Sequence, residues 1–134
     1  MAGTIRLAQP QDAMNCNLYQ NRDKMTKSIQ WLGNSLDNVR EFSEIGRYYT
    51  GVELRRVQSG EMPTDWKPMI TIGPGVAEIR IHAENAYRII YIAKYEEAVY
   101  VLHSFIKKTP QTSKQDIVLA TKRYRELQHE RTKK

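Results

Sequence analysis

The chain has 134 residues and one cysteine, Cys16. A single thiol excludes an intramolecular disulfide and a cysteine-held metal cluster. No apolar stretch approaches the ~18–20 residues that a membrane-spanning helix needs, so no membrane partner is expected. The opening segment "MAGTIRLAQPQDAMNCNLYQNRDKM" has no apolar centre of the kind a secretory signal carries, and a cytoplasmic protein is expected. There is no G-x-x-x-x-G-K-[ST] loop, no H-E-x-x-H and no C-x-x-C. The three histidines, His82, His103 and His129, lie on different segments and make a poor metal site. No metal and no cofactor is expected. The glycines of "GPGVAEI" lead into a strand-like segment, so they supply no helix N-terminus to a phosphate and mark a turn. No acid pair stands out for glycosidase chemistry.

Balanced charge is also lacking. The formal net charge is +6, and residues 107–134 carry the whole excess, with nine basic side chains against three acids. A basic end of this kind suits a polyanion, nucleic acid first, or else a solvated helix face with a basic tail. The length suits one domain with one modest core.

Residues 1–24 are polar and without a sustained period, which reads as an extension outside the core. Patterning begins at Met25. "KSIQWL" (27–32) is a candidate short strand. Ser35 and Ser43 are candidate N-caps of two successive helices. In the second, Ile45, Tyr49, Val52, Leu54 and Val57 are expected to face inward, with Gly60 as the stop. "EMPTDWKP" (61–68) reads as a loop and "MITIGPGV" (69–76) as a broken strand. Three strands then follow at 76–83, 86–94 and 98–108, joined by connections short enough for antiparallel hairpins. Ser113 with Asp116 resembles a capping box. It opens a last helix whose Ile117, Ala120, Tyr124 and Leu127 share a core face, while Lys122, Arg123 and Arg125 are expected to point elsewhere.

The strands carry basic residues at odd places. Alternation sets Glu78, Arg80 and His82 on one face of the first. Arg88 is the one charge inside the apolar run of the second strand. It is either a structural ion pair, with Glu78 or another acid, or an arginine held to bind phosphate bidentately. Arg80 and Arg88 would flank one anion if register brought them to the same face. On the third strand His103, Phe105 and Lys107 share a face and Lys108 takes the other. His103 reads as either a core histidine or a functional one, and the lysine pair as either a solvated strand end or an anion contact.

The segments "DWKPM", "GPGVAEIRI", "AYRIIYIAK", "VYVLHSFIKKT" and "SKQDIVLATKRYREL" follow one another in an order and spacing that resembles the phage-derived, HigB-like branch of the RelE/ParE toxin superfamily. The resemblance runs from about Thr26 to Glu130. It implies an α+β, RelE-like fold: two N-terminal helices packed on a curved antiparallel sheet, with a C-terminal helix. The domain is then 25–131, with 132–134 as a basic tail. It implies the toxin of a type II toxin–antitoxin module, partnered by a helix-turn-helix antitoxin. It also implies metal-independent, ribosome-dependent cleavage of mRNA, in which a ribose 2′-OH attacks the adjacent phosphate. On this resemblance Arg88 stabilises phosphate and Arg80 is the basic residue of the preceding strand. Lys107 and Lys108 are the basic pair after the last strand, and His103 is the general acid or base. Catalysis then falls to Arg88, His103, Lys107 and Lys108, and RNA phosphate binding to Arg80, Arg88, Lys107 and Lys108. Two features depart from the pattern: a full helix stands where RelE has a near-terminal tyrosine, and Glu78 lies beside Arg80. The alternatives are a ParE-like toxin that inhibits gyrase without cutting RNA, and an inactive basic RNA-binding module.

Overall fold

The computed structural model describes residues 26–133, so the expected extension over residues 1–24, Met25 and Cys16 lie outside the described residues. The elements run β1 (Ser28–Trp31), α1 (Ser35–Arg40), α2 (Glu44–Gln58), β2 (Trp66–Pro68), β3 (Val76–His82), β4 (Ala86–Ile92), β5 (Ala98–Lys107) and α3 (Lys114–Thr132). The five strands form one sheet in the order β1-β5-β4-β3-β2. The β2-β3-β4-β5 ladder is antiparallel, whereas β1 pairs with β5 in parallel, Ser28 opposite Ala98 and Trp31 opposite Val101.

The meander β3-β4-β5 follows from local chemistry. Residues 83–85 join β3 to β4, and residues 93–97 join β4 to β5, which leaves antiparallel pairing as the short route. Strands β4 and β5 are flanked on both sides and covered on both faces, so they read as near-continuous apolar runs. Two apolar clusters lie on opposite faces of the sheet. On one face Val39 and Phe42, with Leu54 and Val57 of α2, meet Ile79 and Ile89. On the other, Ala120 and Leu127 of α3 meet Val76, Ile90, Ile92 and Leu102.

Two N-terminal helices packed on a curved antiparallel sheet, the architecture expected from the resemblance, is not what forms. The sheet is mixed, and helices flank it on both sides. The first helix is a six-residue piece. Short hairpin connections imply antiparallel pairing only for neighbours in sequence. β1 and β5 are separated by residues 32–97, and a four-residue strand carries no local mark of its partner.

Other expectations also shift. Leu54 and Val57 of α2 face inward as expected, but Ile45 and Tyr49 are exposed and Gly46 and Thr50 take the inward places. Gly46 packs so close to the Tyr87 ring that an added Cβ would lie 2.7 Å from it, which explains why a glycine-bearing stripe faces the sheet. "MITIGPG" is turn, not strand: the Met69 amide donates to Val76 O at 2.8 Å, and Met69 and Ile72 are buried. The strand there is Trp66–Pro68. Arg123, expected to point away from the core, is buried, donating to Leu102 O at 3.0 Å and to Asn34 Oδ1 at 2.7 Å. The β4–β5 register passes from His103 to Val101 and skips Leu102, and the guanidinium satisfies the carbonyl at that irregularity.

Candidate nucleic-acid phosphate site

Alternation along β3 places Val76, Glu78, Arg80 and His82 on the α3 side of the sheet. Register extends each into a row across the strands. Glu78 lies opposite Lys67 of β2 and Ile90 of β4, and Ile90 lies opposite His103. Arg80 lies directly opposite Arg88, which lies opposite Phe105. His82 lies opposite Ala86, which lies opposite Lys107. The rows near Val76 are apolar and meet α3. Those near the β3–β4 turn are cationic.

Arg88 is buried at 3% exposure, with Glu78 at 1% beside it. The pair is loose: Arg88 Nε is 3.9 Å from Glu78 Oε1. Arg88 Nη1 donates to Tyr87 O at 3.0 Å, and Thr112 Oγ1 donates to Glu78 Oε2 at 3.2 Å. The Nε atoms of Arg80 and of Arg88 are both buried without a hydrogen-bond partner. Burial pulls the Arg88 pKa below its ordinary value; Glu78 and, more weakly, Asp65 oppose this, and the Arg80 charge adds to it. Lys107 is also pulled down, first by burial and then by Arg88, with Arg80 and Lys67 adding repulsion and Glu78 opposing. Like charges directly opposite in a sheet destabilise it, and an unpaired buried donor is costly. One buried carboxylate, Glu78, serves this cluster of Arg80, Arg88, Lys107 and Lys67, with Asp65 a weaker counter-charge to Arg88. A tetrahedral dianion or phosphodiester would supply the missing acceptors, since arginine matches phosphate geometry bidentately.

The other two expected residues are placed differently. Lys108 is exposed beyond the end of β5. His103 is 4% exposed, on the same face as Arg88 and under the first turn of α3. Its Nε2 lies 2.7 Å from Asp116 Oδ1, its Nδ1 is buried without a partner, and its ring stacks on Phe105 at 5.2 Å. Asp116 is itself held by Ser113, whose Oγ donates to Oδ2 at 2.6 Å and accepts from the Asp116 amide at 3.1 Å. Burial lowers the His103 pKa, Asp116 opposes, and the Arg123 charge adds to the lowering. The structure therefore brings Arg80, Arg88 and Lys107 together, closes His103 into a pair with α3, and leaves Lys108 apart.

Two residues at this end escaped the sequence reading. Lys67 sits in a segment read as loop. His82 was placed on the Arg80 face by alternation but given no role. Its Nε2 lies 2.7 Å from Asp65 Oδ2, and both side chains are substantially exposed. Asp65 bore no signal in sequence, because only the β2–β3 pairing brings it to His82. Among the described residues no group of three or more His, Cys, Asp or Glu side chains could hold a metal ion. Nor is any helix among them long and apolar enough to cross a membrane.

A family model described as "Phage derived protein Gp49-like (DUF891)" matches residues 37–125, well over half of the chain. The chain belongs to the Gp49-like family. This is a family of RelE-like toxins, and it points to a toxin that pairs with an antitoxin. The Gp49-like match begins in α1 and ends within α3, so it contains Arg80, Arg88, Lys107 and both His–Asp pairs. Neither the curated proteins nor the solved structures gave a match.

Proposed function

We propose that this Gp49-like chain is the toxin of a HigB-like toxin–antitoxin module and an endoribonuclease that cuts mRNA on the ribosome, in the cytoplasm. A helix-turn-helix antitoxin would be its partner. The reading is carried by one observation: Arg80 and Arg88 stand directly opposite each other with both Nε atoms unpartnered, offset by the buried Glu78 and, more weakly, by Asp65. Family membership supports the toxin part of the reading.

In the reaction the ribose 2′-oxygen forms a bond to the adjacent phosphorus and loses its proton. The bond from phosphorus to the 5′-oxygen breaks, and that oxygen takes a proton. The products are a 2′,3′-cyclic phosphate and a 5′-hydroxyl. Arg80 and Arg88 hold the non-bridging oxygens and stabilise the charge of the phosphorane. Lys107, whose ammonium is already disfavoured by burial and by Arg88, is assigned to protonate the leaving oxygen. His103, closed against Asp116, is assigned to anchoring α3 rather than to proton transfer.

The test compares the wild-type chain with Arg88→Ala and Arg80→Ala, mapping 5′ ends on translated mRNA. Arg80→Ala is included because Arg88→Ala leaves Glu78 buried without its cation. Cleavage within codons that both variants lose is the expected result. Intact mRNA together with inhibited DNA supercoiling would establish the gyrase-inhibiting alternative instead. Cleavage that persists in both variants would move the active site elsewhere.

A further inference from the structure

The reaction above needs a base for the 2′ proton, and the residues expected from sequence leave that place unfilled. Arginine stays protonated and makes a poor base. His103 has the right chemistry, but it is 4% exposed and its free nitrogen is buried. A second imidazole stands at the open end of the same face. We infer that His82, oriented by Asp65, is a catalytic residue that takes the 2′-hydroxyl proton at this site; the inference rests on the ribonuclease reading.

Four observations carry it. First, His82 Nε2 lies 2.7 Å from Asp65 Oδ2. A neutral imidazole that donates its Nε2–H to a carboxylate keeps a lone pair on Nδ1, which is the nitrogen needed to accept a proton. Second, Asp65 is held in place by the sheet, because the Arg80 amide donates to Asp65 O at 2.9 Å. The carboxylate thus orients the ring from a backbone tied to the phosphate-binding strand. Third, the His82 side chain is 61% exposed, in contrast to His103. Fourth, His82 and Lys107 stand at opposite ends of one row with Ala86 between them. Two strand spacings set their Cα atoms roughly 10 Å apart. The alanine methyl leaves the floor low, so the space above it lies between a base on one side and an acid on the other. Arg80 is two residues along β3 from His82, and Arg88 two residues along β4 from Ala86. Both therefore border that space from the side. A phosphodiester there would meet base, arginines and lysine in the order in-line attack requires.

The step balances without a further reagent. His82 Nδ1 takes the 2′ proton, the oxygen closes on phosphorus, and the 5′-oxygen departs with a proton from Lys107. Water then returns both side chains to their starting states.

The experiment measures single-turnover cleavage of a defined mRNA on programmed ribosomes by wild type, His82→Ala, Asp65→Asn and Arg88→Ala. Complex affinity and thermal midpoint are measured alongside. His82→Ala is expected to cut about 10²–10⁴-fold more slowly at unchanged affinity and thermal midpoint, and added imidazole should restore part of the rate. Asp65→Asn should lose less, because it misorients the base without removing it. If His82→Ala cuts at the wild-type rate while Arg88→Ala does not, His82–Asp65 is a surface pair and the inference fails alone. A loss that tracks a lower thermal midpoint and resists imidazole also overturns it. If the wild-type chain cuts no RNA, the ribonuclease reading and this inference fall together.

Discussion

The two faces of the sheet are built from the same three strands, and they are built differently. Toward α1 and α2, Ile79 and Ile81 of β3, Tyr87 and Ile89 of β4 and Val99 of β5 make a continuous apolar surface. The Tyr87 hydroxyl at its margin is engaged by Ser43 at 2.9 Å and by Glu84. Toward α3 the same strands begin apolar at Val76 and Ile92, then turn to Glu78, Arg80, Arg88 and Lys107. One face is organised to exclude water. The other spends half its length on cations, two of which oppose each other with their buried Nε atoms unpartnered. The difference separates the face that holds the fold together from the end to which the proposed site is assigned.

The sharpest way to break the comparison is to weaken the apolar face. Ile89 is fully buried there, so Ile89→Ala should lower unfolding free energy by about 2–5 kcal/mol in urea denaturation. Its β4 neighbour Arg88 lies on the other face, and a value near zero would mean the apolar face is not the stabilising one. A smaller effect of opposite sign is expected on the cationic end. Arg80 directly opposes Arg88, and Arg80→Ala removes that repulsion. It should raise stability by about 0.2–1 kcal/mol while weakening RNA binding. A destabilised variant would show that the arginines are held for structure.

The smallest effect is set by pH at the boundary between the apolar and cationic ends, where His103 sits. Its folded pKa is lowered from 6.5 by burial. Above 6.5 the ring is neutral in both states. As the pH falls below 6.5, the unfolded chain takes up the proton first, so stability declines until the folded-state value is passed. Glu84 and Glu97, whose values are lowered by hydrogen bonds, titrate on the acid side of this window. Stability measured from pH 7.5 to 5 should fall for wild type and stay flatter for His103→Gln. Equal slopes would mean that the buried imidazole does not govern this range.

How much could be read in advance differs between features. The meander was legible, because alternation and short connections are local properties of the chain. The placement of Glu78, Arg80 and His82 on one face was legible for the same reason. Their meeting with Arg88 depended on register, which a one-residue slip would have reversed. The direction of Arg123 was misread because helix periodicity ranks residues by hydropathy. A buried guanidinium is justified only by partners on other elements, here Leu102 O and Asn34. Gly33 marks the same contact from the other side: at φ 55, a Cβ there would lie 2.4 Å from that guanidinium.

By itself the sequence determined the strands of the meander, the capped start of α3 at Ser113, and the presence of stray cations on an apolar frame. These follow from side-chain period and from contacts within a few residues. Tertiary structure alone decided that β1 runs parallel to β5, that helices cover both faces, that His103 is closed and His82 open, and that Asp65 reaches His82. Each of these joins residues distant in the chain, and only the packing of the whole sheet decides which distant residues become neighbours.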